Sequence, residues 1–175
     1  ISGVEQWKKM LYKLKECSLE YKYVIEIDIL NFYDNINIKI LHKKLLAICS
    51  TKNEKNAVDA LKKTLNIFSN NTGIGIPQNN DASSLLATFY LNQVDAYMRH
   101  HVPKYIRFMD DIRIFCDDIY EGRRILTLIE KELRRLNLSL NGQKTKIRSL
   151  QPKKKKERDT ITSEYQDIFS IEQSK

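Results

Sequence analysis

Tyr105-Ile106-Arg107-Phe108-Met109-Asp110-Asp111-Ile112-Arg113-Ile114-Phe115 is the stretch around which the rest of the chain can be arranged. Two apolar, β-favouring runs, Tyr105 to Met109 and Ile112 to Phe115, flank a pair of adjacent carboxylates, which predicts a hairpin with the acids at its turn. Two carboxylates side by side repel each other and gain nothing locally. A divalent cation would neutralise them, since hard cations take oxygen ligands and Mg²⁺ is usually held by one or two carboxylates plus substrate phosphates. The plain alternative is a solvated turn, where Asp is favoured for its local hydrogen bonds.

The totals bound the problem. A chain of 175 residues with 42 % hydrophobic content is about one globular domain. It begins at Ile1 without an initiator Met, so the expectation is a piece of a longer protein. No apolar run approaches the roughly 18 residues that span a bilayer, and no leader precedes the first helix, which predicts a soluble protein. Cys17, Cys49 and Cys116 are odd in number and widely spaced, which suggests neither a disulfide framework nor a zinc site and fits the reducing cytoplasm. His42, His100 and His101 have no partner at ligand spacing and are read as surface or packing residues. The net charge of +8 suits a polyanionic partner, because clustered Lys and Arg bind phosphates by releasing counterions.

Working outward from the hairpin, Tyr21 to Leu30 has the β-branched and aromatic content of a mostly buried strand. Burying an unpaired carboxylate costs several kcal/mol, so Asp28 near that strand's end must be exposed, paired or bound to metal. Phe32 and Tyr33 then put two rings into a turn rich in Asn and Asp, where they either line a pocket or cover the core.

Helical spacing appears at Val4, Trp7, Leu11 and Leu14, with Lys8, Lys9, Lys13 and Lys15 on the other side. It recurs at Ile38, Leu41, Leu45 and Ile48, and at Val58, Leu61, Leu65 and Phe68, with Asn37 and Asn53 as expected N-caps. Ser69 to Asn80 is a Gly- and Asn-rich loop. Asp81 to Arg99 returns to helix, capped by Asn80 or Asp81, with Ala82, Leu85, Leu86, Phe89, Tyr90, Val94 and Tyr97 on its apolar face. A helix opening beside such a loop presents free N–H groups and its positive dipole end, to an anion or merely to its cap. After the hairpin, Glu121 to Leu136 is helical, Asn137 to Gly142 contains a short strand and a turn, and Lys144 to Ile147 begins another strand. From Gln151 onward, with the Lys153 to Lys156 block, periodicity is lost and a basic linker or tail is expected.

This order predicts an α+β fold, a ferredoxin-like antiparallel sheet backed by helices. In that plan the end of the first strand lies beside the hairpin turn, so Asp28 and Asp110 share one site.

Over roughly Tyr21 to Arg148 the chain resembles the polymerase palm of reverse transcriptases, above all the bacterial kind related to group II intron, retron and abortive-infection or defence-associated enzymes. Asp28-Ile29-Leu30-Asn31-Phe32-Tyr33-Asp34-Asn35-Ile36 looks like the first palm motif; Gly75-Ile76-Pro77-Gln78 with Ser83, Leu85, Leu86 and Asp95 like the second; Phe108-Met109-Asp110-Asp111 like the third; and Leu140-Asn141-Gly142-Gln143-Lys144-Thr145 like the fourth. Phe108 replaces the usual Tyr, Asn79 and Asn80 stand where Gly is common, and Thr88 where intron-type relatives often carry Asn. The Asn80 to Ser83 run and the ending Asp110 to Phe115 lean toward the defence-associated branch. The fingers motifs are partly and the thumb wholly missing. The expected division is a leading helix over 1–20, the palm over 21–150 and the tail over 151–175.

The resemblance implies RNA-templated DNA synthesis from dNTPs on an RNA template and primer, with two Mg²⁺ ions, or Mn²⁺, about 3.5–4 Å apart clamping the attacking and leaving oxygens. Asp28 and Asp110 would be the bridging ligands, the Ile29 carbonyl a further one and Asp111 a supporting one. Tyr33 would pack beneath the sugar and exclude a 2′-hydroxyl, and Gln78 would contact the incoming nucleotide. Lys144 would either approach the leaving phosphates or be a plain surface lysine. Two other readings stand beside this one. A viral-type RNA-dependent RNA polymerase shares the double Asp but commonly has Asp where this chain has Tyr33, and a palm could bind nucleic acid without extending a primer.

Overall fold

The computed structural model describes residues 3–150, apart from the side chains of Val4, Gln6 and Trp7. The expectations for Val4 and Trp7 on the first helix and for the tail after Gln151 lie outside the described residues. The elements in order are α1 (Gly3–Glu20), β1 (Tyr23–Ile27), α2 (Phe32–Asn35), α3 (Ile38–Leu46), α4 (Lys52–Phe68), α5 (Asp81–His101), β2 (Lys104–Phe108), β3 (Asp111–Cys116), α6 (Ile119–Arg134) and β4 (Lys146–Ser149).

The strands form one 4-stranded antiparallel sheet in the order β2-β3-β1-β4. This is the expected ferredoxin-like arrangement, in which the first strand to appear sits inside and the last closes one edge. Alternation then divides the residues between two faces. Ile25 and Ile27 of β1, Ile112, Ile114 and Cys116 of β3 and Ile147 of β4 point into the main core with α5 and α6. Val24, Ile106 and Phe115 point the other way and are covered by Cys17, Met10 and Leu14 of α1. Beyond α1 that second face is uncovered by any described helix and turns polar, with Glu26 ringed by Arg148, Lys146 at 3.5 Å and Arg113 at 4.0 Å.

Several expectations are corrected. Thr51, not Asn53, caps α4, because Thr51 and Glu54 form a reciprocal capping box and Asn53 falls inside the helix. Ile48 and Phe68 are exposed, since each lies at or beyond the end of its helix, past the last turn that meets a neighbour. On α5 the buried stripe runs through Ser83, Ala87, Tyr90, Leu91, Val94, Asp95 and Met98, so Ala82 and Leu85 face outward. Asn137 to Gly142 forms no strand: Asn137 is left-handed and a single bridge, Ile29 to Leu140, is all that pairs. Helix α6 starts and stops two residues earlier than the periodicity suggested, capped by Asp118 through Glu121 N–H. Two of the histidines have partners: His42 Nε2 lies 2.7 Å from Asp59 Oδ1, joining α3 to α4, and His101 stacks on Tyr97.

Candidate active site

The hairpin places its acids where the sequence predicts. Strands β2 and β3 pair from Lys104↔Phe115 to Phe108↔Asp111, leaving Met109 and Asp110 as a two-residue turn. Such turns need a positive φ at the first central residue, and Met109 has φ 54°. Among the described residues the other left-handed non-glycines are all asparagines, Asn31, Asn70, Asn71, Asn79 and Asn137. Asn tolerates this region, whereas Met pays roughly 1–2 kcal/mol for it. Asn79, at φ 61°, meets such a backbone demand with the residue that tolerates it best after Gly.

Strand β1 pairs with β3 through Ile27↔Ile112, and one step further along the ladder Asp28 comes beside Asp111. Asp110 is partly buried, and burial raises its carboxyl above the ordinary carboxylate range. The neighbouring Asp111 and Asp28 carboxylates push it the same way, against its own backbone amide and Lys144. The three acids therefore occupy one end of the sheet. They are not drawn into a tight cluster: among the described residues no three His, Cys, Asp or Glu side chains could hold a metal ion as they stand. Asp28 is engaged by other partners. Its Oδ2 accepts from Asn141 Nδ2 at 2.8 Å, and its Oδ1 lies 3.5 Å from Lys144 Nζ.

The Ile29–Leu140 bridge completes this end. Its bonds run from Asn141 N–H to Asp28 C=O and from Leu30 N–H to Ser139 C=O, so the Ile29 carbonyl takes no part in them. The Ile29 side chain is buried in the core.

The loop that carries Gln78 docks on the segment that carries Tyr33. Gln78 Nε2 donates to Asp34 Oδ1 at 3.0 Å, and Ile76 N–H donates to Tyr33 C=O. The loop lies close because Gly75, at φ 96°, has no Cβ to press on the Asp34 carbonyl, which an added Cβ would meet at 3.3 Å. The Tyr33 ring stands edge-on to Phe32 with centroids 5.5 Å apart, and its hydroxyl is 3.5 Å from Ser84 Oγ. One turn along α5, Thr88 Oγ1 is 3.9 Å from Met109 Sδ, so the same helix touches both Tyr33 and the hairpin turn.

Two residues were missed in the sequence. Arg107 forms a buried bidentate pair with Asp95 and also reaches the Met109 carbonyl. A charged Asp95 between Val94 and Tyr97 on a helix's apolar side was the available signal, because such groups are buried only when paired. Asp34, the partner of Gln78, had no such signal.

The two-layer α+β sheet with acids at a β-hairpin and at the neighbouring strand end defines a polymerase palm. The chain belongs to the reverse transcriptase (RNA-dependent DNA polymerase) family, whose sequence model matches residues 3–164. No curated protein matches. Membership carries the general activity, RNA-templated nucleotidyl transfer from dNTPs, and the general use of divalent metals. No described helix is long and apolar enough to cross a membrane.

Proposed function

We propose that residues 21–150 are the catalytic palm of a reverse transcriptase working with two divalent cations, and that Asp28, Asp110 and Asp111 are its catalytic carboxylates. The observation that carries this reading is Asp110, a half-buried carboxyl set against two further acids on a turn that costs backbone strain. Three like charges gathered at one end of the sheet, only partly offset by Lys144 at 3.5 Å from Asp28 and Arg113 at 3.4 Å from Asp111, lower stability and are kept where function uses them.

The donors suit the group by their chemistry, and a bound cation would have to draw the acids closer together. All are oxygens, as Mg²⁺ or Mn²⁺ prefers: the three carboxylates, with the Ile29 carbonyl left out of the neighbouring bridge. When bound, the cations lower the pKa of the primer 3′-hydroxyl and neutralise the leaving pyrophosphate. Asp28 and Asp110, with the Ile29 carbonyl, would hold the cations, and Asp111 would support them. Tyr33 lies under the sugar, Gln78 orients the nucleotide, and Lys144, exposed and charged beside Asp28, gives a proton to the departing phosphate. The 3′-hydroxyl gives its proton to solvent as its oxygen bonds the α-phosphorus, and the α–β bridge breaks to release pyrophosphate. RNA template, primer and DNA product follow the basic chain, whose net charge is +8.

The motif spelling supports placement with bacterial reverse transcriptases, and a part in antiphage defence is tested by challenging cells that carry wild type or Asp110→Asn with phage. A second reading, a palm that binds nucleic acid without extending a primer, draws on the engagement of both Asp28 oxygens by Asn141 and Lys144.

Primer extension separates them. The full-length protein should extend a primer on RNA with dNTPs in Mg²⁺ or Mn²⁺. Asp110→Asn should reduce extension by at least about a hundredfold while nucleic-acid binding persists. Unchanged extension by that variant refutes the assignment.

A further inference from the structure

On the helical side of the sheet, opposite the acids, Arg107 Nε and Nη2 bond to Asp95 Oδ1 and Oδ2 at 2.7 and 2.5 Å. Both side chains are almost fully enclosed, at 7 % and 8 % exposure. Tyr105 donates its hydroxyl to Asp95 Oδ1 at 2.7 Å. Burying an ion pair is poor value as stabilisation alone, since well-packed apolar groups often do as well. The remaining arm of Arg107 shows another use. Its Nη1 donates at 2.7 Å to the carbonyl of Met109.

That carbonyl belongs to the one left-handed residue among those described that is neither Asn nor Gly, and it is half of the peptide group that leads into Asp110. Its direction sets the plane of that peptide and hence the point from which the Asp110 side chain departs. From the other side Thr88 Oγ1 touches Met109 Sδ, so the turn is gripped at main chain and side chain by α5 and by a strand that α5 pins. Lysine could keep the charge opposite Asp95. As a single ammonium it could not span both carboxylate oxygens and the carbonyl.

We propose that Asp95 and Arg107 are positioning residues, which hold the Met109 carbonyl and thereby place the Asp110 carboxylate for cation binding. The inference rests on the assignment of Asp110 above.

The test uses the full-length protein and reads Mn²⁺ binding by electron paramagnetic resonance without nucleotide, alongside kcat, KM for dNTP and the Mg²⁺ concentration for half-activation. Arg107→Lys should weaken Mn²⁺ binding and lower kcat by about 10–100-fold, the usual loss on removing a residue that orients a ligand, with KM for dNTP within about twofold. Ile129→Val, a core change on α6, serves as a stability control and should leave Mn²⁺ affinity unchanged. Wild-type Mn²⁺ affinity in a folded Arg107→Lys, or a loss no larger than in Ile129→Val, overturns the proposal. Should Arg107→Lys not fold, Tyr105→Phe keeps the ion pair and loosens Asp95. A drop of about twofold or more in Mn²⁺ affinity then supports the inference, and none overturns it. Asp110→Asn run in parallel isolates the underlying assignment: full extension and Mn²⁺ binding by that variant would defeat the site itself, whatever Arg107 does.

Discussion

Asn141 Nδ2 donates to Asp28 Oδ2 at 2.8 Å, tying together two residues 113 positions apart. The backbone repeats the link, with Asn141 N–H on the Asp28 carbonyl at 2.9 Å. Main chain and side chain of the fourth motif thus fix both ends of the first motif's acid, and Lys144 lies on the remaining oxygen.

Asn141→Ala removes the side-chain bond and leaves the backbone bond. The fold should survive, and Asp28 should lose its fixed rotamer. Primer extension is expected to fall about 10–100-fold, with nucleic-acid affinity little changed. Wild-type extension rates in Asn141→Ala would show that Asp28 needs no such anchor.

Asp110→Asn should stabilise the metal-free fold at neutral pH. Burial and the neighbouring acids raise the Asp110 carboxyl above its unfolded value, so the folded state holds this proton more tightly than the unfolded one. The corresponding stability is present in full below the unfolded value, about pH 4, and is lost as pH rises through the raised folded value. At pH 7 the ionised group burdens the fold, and Asn of the same shape does not. Melting curves with chelator should place the variant above wild type at pH 7, with the gap closing toward pH 4. Added Mn²⁺ should raise wild type and not the variant. A lower melting point for the variant at pH 7 contradicts this.

The hairpin was legible because its two β-favouring runs are short, adjacent and interrupted by one pair of acids, so local propensity and tertiary structure agree. The ferredoxin-like order followed, as did the nearness of Asp28. Part of what escaped was a local signal passed over, and the rest needed knowledge of tertiary neighbours. Asn53 and Thr51 are both acceptable caps, and only Glu54, three residues after Thr51, decides between them. Leu85 suited an apolar stripe, but the helix is rotated so that Ser83, Ala87 and Leu91 meet the core. Leu138 and Leu140 alternate like a strand, yet Asn137 turns the chain and leaves a single bridge. The Asp95–Arg107 pair joins a helix to a strand across a packed layer, which no spacing within either element reveals.

Gly75→Ala probes the loop that carries Gln78. At φ 96° an L-residue is strained, and its Cβ would meet the Asp34 carbonyl at 3.3 Å. A loss of about 1 kcal/mol or more is expected from the backbone alone. The shift should also disturb the Gln78–Asp34 bond, so KM for dNTP should rise more than kcat falls. Unaltered melting and KM would show that the loop yields freely.

Sugar choice should depend on Tyr33. The ring is half-buried, set edge-on against buried Phe32, with its hydroxyl 3.5 Å from Ser84 Oγ at the opening of α5. If the sugar sits over Tyr33 as proposed, a ring held on one side by the core and on another by a helix would not yield to an added 2′-hydroxyl, and such a clash is one that a truncation relieves. If Tyr33 merely packs, its removal strips a contact from Phe32 and lowers stability and use of every nucleotide together, by less than the loss of a fully buried ring. Tyr33→Ala in the full-length protein, assayed with dNTPs and rNTPs below its melting temperature, divides the cases. Selective recovery of rNTP incorporation is the expected result, and Tyr33→Phe, which keeps the ring and loses only the Ser84 contact, should retain discrimination. A uniform loss across both nucleotide classes in Tyr33→Ala would make the ring a packing element and leave sugar choice to other residues.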